Sequence, residues 1–103
     1  MSSEMDAVVA GAAAELEALE TALHGLEQVH AVFTTSDGSV SAEVNSMGAL
    51  AGLTLTDSVT SRPPAEVARL IIWAAQQAAR DASDQRSEIF AKLNESFVPR
   101  SRE

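Results

Sequence analysis

Apolar side chains in the N-terminal part of the chain recur at helical spacing. Met5, Val9, Ala12, Leu16, Leu19, Leu23 and Leu26 follow one another in alternating steps of four and three. This a/d heptad repeat predicts an α-helix that lays a narrow apolar seam against one partner helix, with Glu15, Glu17, Glu20 and Glu27 off the seam. Ser2 or Ser3 is placed to cap the helix, and Glu4 and Asp6 suit the positive end of its dipole. Gly25 predicts that it weakens or ends over residues 25–29.

The period then switches to alternation. Ala31 to Thr35 is rich in strand formers, and Ser36-Asp37-Gly38-Ser39 has the chemistry of a hairpin turn. Val40, Ala42 and Val44 alternate with Ser41, Glu43 and Asn45, a strand with one wet face. Asn45-Ser46-Met47-Gly48 reads as a second turn, and Ala51, Leu53 and Leu55 as the apolar positions of a third strand. Strands this short need helices over their apolar face. A polar connection, Asp57 to Arg62, leads to Pro63-Pro64, and proline belongs in a helix's first turn. The second helix is expected to run from Pro64 to about Phe97, before Pro99. Its buried stripe is Val67, Ile71, Ala74, Ala78 and Ile89, whereas the polar stretch 80–88 is expected to run beyond the sheet. Ile89, Phe90, Leu93 and Phe97 then form an apolar face for which one chain offers no obvious cover. The fold class is therefore α+β, α-β-β-β-α, with an antiparallel meander between two long helices.

At 103 residues the chain is one domain, spanning 1–98 with a short tail over 99–103. The absence of cysteine removes disulfides, thiolate catalysis and thiolate metal sites. An acidic N-terminus lacks the basic start of a signal peptide, and the apolar run Ala7–Ala14 is too short to span a bilayer. The expected location is the cytoplasm, with no membrane partner. Residues 1–60 hold nine acids and no Lys or Arg, whereas residues 61–103 hold six acids and all seven basic side chains. Despite a net charge of −8, any attraction for phosphate must therefore come from the C-terminal part.

No catalytic constellation is present. His24 and His30 lack ligand spacing and a third ligand, Glu15 and Glu17 point to different helix faces, and Gly48 and Gly52 match no phosphate loop. The expectation is a non-enzyme without metal, cofactor or small-molecule substrate. What remains is Arg69, Trp73, Gln76 and Arg80, within about 60° of one another on the second helix and opposite its buried stripe. Aromatic and arginine side chains dominate interface energetics, and a tryptophan between cations also suits nucleic acid. A plainer reading has Trp73 inside a dimer interface and the arginines paired with acids of the first helix. Arg100 and Arg102 read as a weakly basic, solvated tail.

The order of these elements carries a resemblance. The heptad helix, the segment Phe33-Thr34-Thr35-Ser36-Asp37-Gly38-Ser39-Val40, the strand Leu50-Ala51-Gly52-Leu53-Thr54-Leu55 and the opening Pro64-Ala65-Glu66-Val67-Ala68-Arg69 resemble the YbaB/EbfC family of nucleoid-associated proteins, in a divergent, alanine-rich actinobacterial form. The resemblance implies an intertwined, tweezer-like homodimer that binds DNA with little sequence preference and needs no cofactor; it places the protein at the nucleoid. Candidate contacts to DNA or a partner are Arg62, Arg69, Trp73, Arg80 and Arg86, with Lys92 a further cation; Leu16, Leu19, Leu23 and Leu26 form the dimer seam. The acidic first helix departs from a DNA-binding pattern, because duplex binding rests on neutralising phosphates. It keeps open a protein-binding adaptor or a type VII secretion accessory protein that does not bind DNA.

Overall fold

A computed structural model describes residues 3–97. The chain forms α1 (Ser3–Glu27), β1 (Ala31–Thr34), β2 (Val40–Val44), β3 (Leu50–Leu55), a short 3₁₀ helix (Asp57–Ser61) and α2 (Pro64–Ser96). This is the α-β-β-β-α order expected from the periodicities. The 3₁₀ turn was not legible in the polar connection. It is held by its own hydroxyls, with Thr60 Oγ1 donating to the Asp57 carbonyl and Ser61 Oγ to that of Ser58. The expected cap at Ser2 and the tail arginines Arg100 and Arg102 lie outside the described residues.

Three antiparallel strands stand in the order β1-β2-β3. Phe33 faces Ala42 across the first ladder, and Leu53 faces Ala42 across the second, so these side chains share a sheet face with Val40 and Val44. Both turns need a left-handed residue, supplied by Gly38 at φ +76° and Gly48 at φ +81°. In the second turn, Asn45 Oδ1 accepts the backbone N–H groups of Met47 and Ala49. A bulge between Glu43 and Val44 resets the register at the end of β2.

Pro63 takes the N-cap position of α2, and Pro64 its first turn. The helix lies over β2 and β1. Its contact is made by alanines: Ala74 closes one cluster with Val40 and Ala42, while Ala78 and Ala82 close another with Val29, Ala31 and Val44. Small side chains let the helix approach the sheet closely, and contacts at that packing density stabilise it. The buried stripe is therefore as expected at Ala74 and Ala78, with Val67, Ile71 and Ile89 half-buried. Residues 80–88, expected to leave the sheet, do not all do so. Ala82 is fully buried, and Gln85 Nε2 donates to the His30 carbonyl at 2.8 Å. One alanine and one amide suffice to hold a largely polar turn against the start of β1.

Beyond the sheet, α1 runs back antiparallel along the last turns of α2 to form an arm. A Cβ on Gly25 would stand 3.3 Å from Ile89 Cδ1, so glycine permits the close crossing there. Ala14, Ala18, Ala22 and Gly25 border the cleft toward Ile89 and Leu93. This stripe of small residues lies roughly 120° around α1 from the leucine seam. Within its own chain, α1 thus meets α2 mainly through this stripe rather than through the leucine seam.

Candidate functional site

Two surfaces emerge, one cationic and one apolar. The cationic one lies along the outer side of α2. Arg69, Trp73, Gln76 and Arg80 are all exposed, as their helical spacing predicts. Trp73 is 46% exposed, and its inner edge meets Phe33 of β1 in a T-shaped contact with ring centroids 4.9 Å apart. Phe33 thereby fixes the indole as a half-exposed plate between two arginines. Within a single chain, neither Arg69 nor Arg80 forms a salt bridge with an acid of α1 among the described residues. Among the described residues one salt bridge forms, and it joins Arg62 to Asp37 in the β1–β2 turn.

That pairing removes Arg62 from the row. Its guanidinium binds Asp37 Oδ2, while Asp37 Oδ1 accepts the Ser39 N–H and the hydroxyls of Ser39 and Thr35. The Arg62 guanidinium first, then these donors, hold the Asp37 carboxyl far below the usual carboxylate range. Reciprocally, Asp37 raises the Arg62 pKa. This network links the hairpin tip to the entry of α2, a structural role that the spacing of the sequence did not reveal.

Arg86 is also separate. It lies roughly 100–140° around α2 from Arg69, Trp73 and Arg80, and it is half-buried. Its Nη1 atom is sealed from solvent without a hydrogen-bond partner among the described residues. Of the five candidates, the structure brings Arg69, Trp73 and Arg80 together and places Arg62 and Arg86 elsewhere. Lys92 is exposed on the arm and borders the cleft against α1.

The apolar surface begins at β3. Leu50, Leu53 and Leu55 belong to the sheet face that α2 covers, yet they stay 42–50% exposed because the helix lies over the other two strands. Exposed Ile72 and Phe90 continue it along α2, and Leu19, Leu93 and Phe97 share a groove with Phe90 in the arm. The seam adjoins this groove: Leu16 and Leu23 are 57% and 53% exposed, Leu19 is exposed, and Leu26 is half-buried. Sequence reading found the seam and the terminal face of α2 but missed the β3 row, because alternation marks a strand's apolar side without saying what covers it.

A model of the YbaB/EbfC DNA-binding family matches residues 1–97. The chain belongs to that family. A search of curated proteins finds no match. YbaB/EbfC is a nucleoid-associated, DNA-binding family, and the match spans both helices and all three strands. No described helix is long and apolar enough to cross a membrane. Among the described residues, no group of three or more His, Cys, Asp or Glu is arranged to hold a metal ion.

Proposed function

We propose that the protein is a homodimeric, non-enzymatic nucleoid protein of the cytoplasm. It grips duplex DNA through Arg69 and Arg80 on the outer side of α2, with Trp73 between them. The carrying observation is that these two guanidinium groups are exposed and outside the described salt bridge, beside an indole braced on Phe33. Family membership supports DNA as the ligand. Exposed helix-borne arginines contact phosphates, which orient a protein on the duplex without reading bases. Little sequence preference follows. The exposed apolar surface running from β3 along α2 to the leucine seam supports association of two copies, which would present two such rows.

The charge favours a second reading, a protein-binding adaptor or type VII secretion accessory protein. The chain carries −8, and its first sixty residues contain no Lys or Arg. Such a protein would use the apolar surface for its partner and leave DNA alone.

A titration of duplex DNA into the protein separates the readings, followed through fluorescence of the single tryptophan at low and near-physiological salt. Binding that weakens with salt, perturbs Trp73 emission and is lost in Arg69→Glu/Arg80→Glu is the expected result. No binding at low salt would overturn the DNA reading and leave the adaptor.

A further inference from the structure

From Val67 to Arg80, α2 carries no acid, in a chain with fifteen Asp and Glu against seven Lys and Arg. Arg69 stands about one turn before Trp73, Gln76 and Gln77 about one turn after it, and Arg80 about two turns after it. Arg69, Gln76 and Arg80 are exposed, and Gln77 is half-buried. Every charged group of this stretch is therefore a cation, and the indole is framed by amides and guanidinium groups. The two arginines are separated by roughly 16 Å of helix, at about 1.5 Å per residue.

Phosphates account for the arginines but not for the indole, whose ring gains most by covering a flat apolar surface. Phe33 meets it at an interplanar angle of 90°, so that contact takes an edge or one face and leaves another face uncovered. Trp73 as a whole is 46% exposed. It also stands apart from the apolar surface assigned to association. Through Phe33 it lies over β1, on the opposite edge of the sheet from the β3 leucines, and Ile72 is about 100° away around α2. In an intact duplex the bases are stacked on one another and present only their edges in the grooves. An unpaired base offers a ring face next to its own phosphates, which matches an aromatic plate between cations.

We propose that Trp73 is a stacking plate for an unpaired DNA base, with Arg69 and Arg80 on the neighbouring phosphates, so that DNA containing open bases binds more tightly than perfect duplex. This inference rests on the DNA reading above and names the form of DNA that the site selects. Stacking accepts any base, because every base has a ring face. Gln76 and Gln77 carry both donors and acceptors, so their amides suit any base edge as well. The preference is therefore for base access and not for sequence.

Fluorescence anisotropy tests this on the full chain with two labelled DNAs, a perfect duplex and the same duplex with a central unpaired bubble. They match in length and charge, so a difference between them reads base access. The wild type is expected to bind the bubble at least about fivefold more tightly, the gain from a single stacked base. Trp73→Leu should abolish that preference and leave duplex affinity unchanged, whereas Trp73→Phe, which still stacks, should keep most of it. A merely structural Trp73 would lower both affinities together. Circular dichroism establishes that the variants fold. If Trp73→Leu does not fold, the single tryptophan of the wild type still reports, and saturating bubble should quench its emission far more than saturating duplex. Equal affinity or equal quenching for the two DNAs, a preference that survives Trp73→Leu, or a loss equal for both, overturns the stacking site and leaves the DNA reading standing. Binding to neither DNA at low salt overturns both.

Discussion

At the tip of the β1–β2 hairpin, one carboxylate links two parts of the fold. Asp37 takes three donors from the turn on Oδ1 and Arg62 on Oδ2, so its charged form is favoured most when the hairpin and the start of α2 are together. Its folded pKa lies well below the unfolded value of about 3.9. The linked stability is therefore fully present above about pH 4 and lost as pH falls through the folded pKa. Arg62 remains charged throughout that window and adds no titration to it. Asp37→Asn is expected to lower the melting temperature at pH 6, with the gap from wild type narrowing as pH falls from about 4 to about 2. A gap that stays constant in calorimetry across that range would show that the network does not link folding to proton uptake.

The two long helices divide covered from exposed surface according to side-chain size. On α1 the small stripe, with Ala22 buried, meets α2 of its own chain, while Leu16 and Leu23 stay exposed. A helix this long gains most of its stability from packing rather than propensity, and an uncovered leucine seam is packing area left for another chain. Leu16→Asp/Leu23→Asp should therefore weaken self-association by roughly a thousandfold or more, since it buries unpaired carboxylates. Helical circular dichroism should persist, because α1 docks on α2 by its other stripe. Sedimentation of the double variant as a stable dimer would exclude the seam from the interface. On α2, alanines face the sheet and larger side chains such as Ile72 and Phe90 stand exposed. Close approach to the sheet and a free apolar flank are two results of that one arrangement.

The molecule measures 76 × 25 × 17 Å, with a radius of gyration of 21.2 Å. A compact chain of this length has a radius near 13 Å. Extension through the arm leaves much apolar surface uncovered, which association would bury. It also separates charge: α1 carries acids without Lys or Arg, whereas Arg69 and Arg80 sit on the part of α2 that crosses the sheet. A local cationic row can then act despite the net charge, because fields of exposed groups are screened over about 8–10 Å. In the proposed dimer these arginines would neutralise about four phosphates, so log affinity should fall against log salt with a slope of about −3.6. Between 50 and 200 mM salt that is a loss of roughly a hundredfold. A filter-binding series with a slope near zero would rule out the arginine row as a phosphate contact.

Much of this architecture is local in origin and was legible in the chain. Heptad spacing marked α1, alternation marked β2 and β3, glycines marked both turns, and Pro63-Pro64 marked the start of α2. Rotation by about 100° per residue also placed Arg69, Trp73 and Arg80 on one outward face, because helical geometry alone determines that grouping. What the sequence could not decide was which apolar face meets which. The alanine stripe of α1, more than its leucines, takes α2; α2 covers β1 and β2 but leaves the β3 leucines half-exposed; and Asp37 claims Arg62. Each depends on contacts between residues distant in the chain, where size and charge are matched only after the elements dock. Periodicity sets the direction of a side chain about its own axis, and tertiary packing decides what stands opposite it.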